Sequence, residues 1–280
     1  MKTLGKISPS RESFRAMAAN RRVIPVTITV LADSLTPIGL YRTLAQGRPG
    51  TFLMESAAPG GVWSRYSFIG VNSPATLSTR GGEAYWQGNA PAGLPTGGAG
   101  VEVLRDTVRA LKTEPVPGMP PLTGGMVGFI GWECVRHWEK LPNPPADDLN
   151  LPELSMNLVA DMAAHDAAEG TVTLIANAIN FNGSDENVDT AYDGAVARLQ
   201  AMLDQLAVPV DSAAAVLTGT DVPRETLMDA VTHSWDENEY LAALAKSKIA
   251  IVDGEVFQIV VSRRFELETQ ADALDVYRVL

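Results

Sequence analysis

Val23 to Leu31 alternates β-branched with polar residues, and this period of two predicts a strand. Ahead of it, Ser8-Pro9-Ser10-Arg11-Glu12 offers a cap, a proline and an acidic first turn. Phe14 and Met17 follow at i, i+3, so residues 1 to 22 read as a helical lead-in. Thr36-Pro37 opens a second helix through Leu40, Tyr41 and Leu44. Strands are predicted at 51–55, 66–71 and 75–79, and Gly81-Gly82 turns the last into a hairpin with 83–86. Glycine, proline and alanine dominate 87–100, an exposed loop. Apolar residues at 101, 104, 108 and 111 then mark an amphipathic helix over 101–113.

Four glycines lie within the apolar run Gly124-Gly125-Met126-Val127-Gly128-Phe129-Ile130-Gly131-Trp132. Such a strand permits close backbone approach, and tight sheet packing is the favoured reading. It lacks both the spacing and the strand-to-helix context of a dinucleotide fingerprint, and no Lys-Ser/Thr follows to make a phosphate loop. Leu141 to Asp148 is a proline-rich, acidic connection whose aspartates Asp147 and Asp148 read as solvated or capping. Strands over 154–161 and 171–177 flank a turn at Ala168-Glu169-Gly170, and a long helix covers 189–206. Residues 207–235 carry little pattern beyond Pro209 and Pro223. A helix then runs from Asp236 to about Ile251, its acidic start suiting the helix dipole. Asp253-Gly254-Glu255 turns into Val256–Phe265, a nearly continuous apolar run that predicts a central strand buried on both faces. Together these elements predict an α+β fold rich in antiparallel sheet, in two layers. The expected division is a domain over 1–210, a linker over 211–235 and the start of a further domain over 236–280.

The chain has 280 residues, 46% hydrophobic and 20% charged, enough for a substantial core and inconsistent with general disorder. A formal net charge of −11 repels phosphate backbones, so nucleic-acid partners are disfavoured, while a buried pocket can still be locally positive. No run of about 20 apolar residues appears, and the N-terminus lacks an apolar signal core, so the expectation is a cytoplasmic protein without a membrane span.

One cysteine excludes an intrachain disulfide framework. Cys134 and His137 are three apart and can share a helix face, but a zinc site needs three or four ligands, so the pair reads as structural. Glu55 and Ser56 follow the strand Phe52-Leu53-Met54, and Arg65-Tyr66-Ser67-Phe68-Ile69-Gly70 follows shortly after. A carboxylate can pair with an ammonium, and a hydroxyl can donate and accept, which suits an amino-acid ligand. The same two residues can simply open a turn, and the residues alone leave both readings open. Gln258 lies inside the apolar run; a buried amide without partners costs about 1–3 kcal/mol, so it is a core network residue or a site residue.

Met54-Glu55-Ser56, Arg65–Gly70, the Gly124–Trp132 run with Glu133-Cys134-Val135-Arg136, and Gly254-Glu255-Val256-Phe257-Gln258 jointly resemble the anthranilate synthase component I family. Met54 stands where that family carries leucine, a near volume-conserving change. The resemblance implies that Ser56, with Glu55 and Met54, belongs to a feedback site for L-tryptophan. It implies an enzyme converting chorismate and ammonia to anthranilate and pyruvate, with Mg²⁺ and a glutamine amidotransferase subunit as partner. The C-terminal segment resembles the opening of the chorismate-binding catalytic domain, with Gln258 as an active-site neighbour. In related isochorismate-forming enzymes a lysine at that place activates water, and glutamine cannot take a proton. The apolar periodicity at 272–280 is unfinished, so a truncated sequence is expected, with the catalytic residues and the Mg²⁺ ligands beyond residue 280. Rival readings are aminodeoxychorismate synthase component I and a non-catalytic tryptophan-binding module.

Overall fold

The computed structural model describes residues 4–56, 65–208 and 224–280. The chain divides into two compact units, Met1–Val210 and Asp211–Leu280. The first unit opens with α1 (Arg11–Ala18), β1 (Val23–Leu31) and α2 (Pro37–Leu40), which a wider turn continues over Tyr41–Ala45. Then come β2 (Phe52–Met54), β3 (Tyr66–Asn72), β4 (Ala75–Arg80), β5 (Glu83–Gly88), α3 (Gly100–Leu111) and β6 (Gly125–Ile130). After a short helical turn at Trp132–His137 follow β7 (Leu154–Val159), β8 (Asp161–Asp166), β9 (Thr171–Ile179) and α4 (Val188–Ala207). The architecture is α+β.

Two antiparallel sheets form, one in the order β1-β9-β8-β3-β2 and one in the order β5-β4-β7-β6. β1 pairs with β9 from Val23↔Ile179 to Leu31↔Thr171. One face of the five-stranded sheet presents Ile24, Val26, Ile69, Ala163, Leu174 and Ala176 to Phe14 of α1 and to Ala195, Leu199 and Met202 of α4. Its other face presents Met162, Ala164 and Ile175 to Val159, with Phe52, Phe68, Met119 and Val127 partly buried against them. The central strand β8 thus contributes to both faces, Ala163 to one and Met162 and Ala164 to the other.

Helix ends follow the local sequence. Ser10 accepts from the Ser13 N–H at the start of α1, Thr36 from Gly39 at α2, and Asn187 from Thr190 at α4. Each such cap is worth about 1 kcal/mol. Arg15 Nε and Nη2 reach Asp189 Oδ1 and Oδ2 at 2.8 Å, and Arg11 binds Asp193, tying α1 to α4.

The single strand expected over 154–161 is two. At Ala160 the chain leaves the four-stranded sheet as β7 and enters the five-stranded sheet as β8. The Ala160 N–H donates to Asn72 O (2.9 Å), and Ala160 O accepts from the Asn177 N–H (2.8 Å). β7 (Leu-Ser-Met-Asn-Leu-Val) and β8 (Asp-Met-Ala-Ala-His-Asp) both mix apolar with polar residues, so hydrophobic pattern carries no sharp mark of the break. β3 and β4 make the matching passage at Ser73-Pro74. Strands that bend between sheets at such corners are how two packed sheets share a core.

The second unit holds α5 (Arg224–Asp229), β10 (Thr232–His233), α6 (Glu237–Val252), β11 (Phe265–Glu266) and α7 (Ala273–Val279). Asp236 and Glu239 form a reciprocal capping box at α6. The expected linker is thus partly structured, while 211–223 of it lie outside the described residues. The buried strand expected over Val256–Phe265 is not formed. Phe257 is 96% exposed, Gln258 is exposed, and Phe265 pairs with His233. A strand apolar on both faces needs partners along both edges and a layer on each face. Among the described residues of this unit only a two-residue ladder is on offer. Gln258 therefore is no buried network residue here.

Candidate amino-acid site at the end of β2

β2 is the edge strand of the larger sheet, held by three pairs: Phe52↔Gly70, Leu53↔Ile69 and Met54↔Phe68. Beyond Met54 the regular ladder stops and Ser56 takes over. Its hydroxyl donates to the Tyr66 carbonyl at 2.7 Å, and its N–H donates to Ser67 Oγ at 3.1 Å. Each bond adds about 1 kcal/mol of net stability. The two sequence motifs are thereby brought side by side on adjacent strands. Met54 is exposed, and Glu55 and Ser56 are half-buried. The intervening residues 57–64 lie outside the described residues.

Arg65 fixes the far side of this junction. Its Nε and Nη2 bind Asp166 Oδ1 and Oδ2 at 2.8 and 2.6 Å, and Nη2 also reaches Glu169 Oε1 at 3.0 Å. Asp166 is only 1% exposed, so its charge depends on this two-pronged pairing. The hydrogen bond to Asp166 raises the Arg65 guanidinium above its ordinary range. The guanidinium also sits 5.0 Å from the centre of the Tyr66 ring, and that ring stacks on Phe68 with centroids 6.1 Å apart. The neighbourhood of Ser56 is thus a stiff strand end rather than a free loop. A carboxylate and a hydroxyl held there can bind an ammonium group and a second polar group of one ligand.

Sequence reasoning missed three contributors. Asp166 and Glu169 anchor Arg65 and do not stand out by type or spacing; Ser67 lies within the Arg65–Gly70 motif, but its role in receiving the Ser56 N–H was not foreseen. His165 lies opposite Ser67 in the β3–β8 pairing, and its buried Nδ1 has no hydrogen-bond partner among the described residues. Gln258 belongs to the second unit.

The other candidates are structural. Cys134 Sγ lies 3.4 Å from Glu153 O, and His137 Nε2 lies 3.1 Å from Glu153 Oε2, so both secure the Trp132–His137 turn to residue 153. Burial pushes the Cys134 thiol above its usual range. Asp147 accepts from the Asn150 N–H at 2.9 Å, a turn cap. Two glycines of the Gly124–Trp132 run serve packing: a Cβ at Gly128 would run into the Ser155 carbonyl, and one at Gly131 would lie 3.1 Å from Glu153 O. Among the described residues no group of three or more His, Cys, Asp or Glu is placed to hold a metal ion, and no helix is long and apolar enough to cross a membrane.

Residues 50–280 match the family described as chorismate binding enzyme. Anthranilate synthase component 1 of Arthrobacter globiformis is 59% identical over 280 residues, covering 100% of this chain and 52% of that protein. The protein of the same name from Mycolicibacterium smegmatis is 50% identical over 273 residues, covering 97% and 50%. The crystal structure of anthranilate synthase component I from Streptococcus pneumoniae TIGR4 superposes with a TM-score of 0.60 at 18% identity, over 89% of this chain and 51% of that one, a likeness of fold. The chain spans about half the length of the curated relatives it matches.

Proposed function

Because this chain belongs to the chorismate binding enzymes, we propose that it is the amino-terminal part of anthranilate synthase component I. The observation that carries the reading is its likeness, from end to end, to proteins of that name. The complete enzyme converts chorismate and ammonia to anthranilate and pyruvate, a lyase reaction in tryptophan biosynthesis in the cytoplasm. A glutamine amidotransferase subunit supplies the ammonia.

Within this chain, Met54, Glu55 and Ser56 form part of an allosteric site for L-tryptophan. The Ser56 proton is directed at the Tyr66 carbonyl, so toward a ligand its oxygen acts as an acceptor for the α-ammonium. Glu55 supplies the opposing charge. Met54, 43% exposed, offers a polarizable thioether to an indole ring. Tryptophan held here stabilises the enzyme form that binds chorismate less well, which is how a ligand at one site reduces activity at another.

Mg²⁺ is the metal of this reaction, but the described residues do not furnish its site. Its ligands, and the groups that act on chorismate, belong to the half of the relatives' length that this chain does not span. Gln258 lies near that catalytic region once its strand has neighbours.

The test is Ser56→Phe in a protein carrying this chain together with that second half. The tryptophan concentration for half-inhibition rises at least about tenfold, equivalent to about 1.4 kcal/mol, while uninhibited activity is retained. Unchanged inhibition contradicts the site.

A further inference from the structure

We propose that the first unit carries a second small-molecule site, a cleft for an apolar or aromatic carboxylate at the β1 edge of the five-stranded sheet. This inference is independent of the enzymatic assignment. The sheet order puts β1 four strand spacings from β2, about 19 Å across. None of the cleft's lining residues belongs to the Glu55-Ser56 junction.

The cleft has a volume of about 510 Å³, within the range of about 300–1,000 Å³ usual for small-molecule sites. Val23 and Ile179, partners in the β1–β9 ladder, line it together with Leu111, Met119 and Met126. An aromatic or branched aliphatic body fits such walls by burying its apolar surface. Charge at the mouth selects the head group. Arg21 and Lys112 both line the cleft, and neither has an ion-pair partner among the described residues. Arg21 is aimed by its own bonds: Nη1 donates to Thr113 Oγ1 at 3.1 Å and to the Glu114 carbonyl. Glu114 is the one carboxylate in the lining, and it is exposed. Two cations against one solvated carboxylate favour an anionic ligand group.

One buried polar side chain completes the site. Asn177 is 3% exposed and lines the cleft. Its Nδ2 donates to Thr123 O at 2.8 Å and to Ala160 O at 3.2 Å, which fixes the orientation of the amide. The Oδ1 receives no hydrogen bond among the described residues. It is an acceptor for an N–H or O–H on the ligand. Gly124 makes room for this arrangement, since a Cβ there would press on Asn177 Nδ2. Gly125, at φ +121°, borders open space. The ligand class is therefore an apolar carboxylate that also carries a hydrogen-bond donor.

Indole-3-acetate has that chemistry and lacks the α-ammonium required at Ser56. Calorimetric titration of it into the full-length protein tests the proposal. One site is expected, with equal affinity in Ser56→Phe. Indole-3-acetamide, the same shape without charge, should bind at least about tenfold more weakly, as expected on losing a charged hydrogen bond. Lys112→Gln, at an exposed position, should weaken indole-3-acetate severalfold, and Arg21→Gln by about tenfold. Val108→Trp, on an exposed rim position of α3, should abolish binding while circular dichroism stays unchanged. Absence of binding to the wild type overturns the proposal. So does equal binding of acid and amide, or binding that survives Val108→Trp and disappears in Ser56→Phe.

Discussion

The Phe52 ring lies flat across Gly70, its partner in the β2–β3 ladder, and occupies the space that a Cβ at position 70 would fill. Glycine inside a strand weakens it, and an aromatic ring on the neighbouring strand covers the exposed backbone. This contact holds the edge strand that ends in Glu55 and Ser56. Gly70→Val should therefore displace the ring and destabilise the first unit by about 1–3 kcal/mol, the usual cost of overpacking. A urea melt followed by far-UV circular dichroism measures it; an unchanged midpoint contradicts the role given to this pair. Tryptophan affinity should fall in the same variant, because Ser56 is positioned through the same strand.

Asp161 joins three elements. Its Oδ1 accepts from Arg198 Nε at 2.8 Å, its Oδ2 from Asn72 Nδ2 at 2.9 Å, and Arg198 Nη2 donates to the Asn177 carbonyl at 2.7 Å. Asp161 is 3% exposed, so Arg198→Ala leaves a buried charge with only a neutral partner. The expected loss is about 3 kcal/mol. Asp161→Asn combined with Arg198→Ala should recover part of it. A double variant less stable than Arg198→Ala alone argues against this network.

The α1–α4 contact gives an acid-sensitive element. Hydrogen bonds from Arg15 and from Arg11 lower the carboxyl pKa values of Asp189 and Asp193 respectively. A carboxylate whose pKa is lower in the folded state stabilises the fold above the unfolded value of about 4, and that stabilisation is lost as pH falls through the folded value. Asp189→Asn should therefore lower the urea midpoint at pH 7. At the most acidic pH where the protein stays folded it should make little difference. A gap between wild type and variant that persists unchanged into acid contradicts the pairing.

β1 was legible to the residue because its period-two pattern is flanked by polar positions, and α4 to within one residue at each end because its apolar stripe runs for five turns. The break at Ala160 was not legible, since the two strands touch end to end and both mix apolar with polar residues. Val256–Phe265 misled in the other direction. Its composition speaks of burial on both faces, but burial requires neighbouring strands that the described residues do not provide. The Glu55-Ser56 and Arg65–Gly70 motifs could be paired from sequence, yet Asp166 lies 101 residues from Arg65 and nothing local announces it. The cleft at Arg21, Lys112 and Asn177 is assembled from three distant segments, each ordinary by itself.

The complete protein should carry out the proposed reaction itself. Purified protein carrying this chain and its second half, supplied with chorismate, Mg²⁺ and ammonium, should release anthranilate, identified by its fluorescence and by chromatography. L-tryptophan should suppress that release. Formation of aminodeoxychorismate instead, or no turnover of chorismate, contradicts the account.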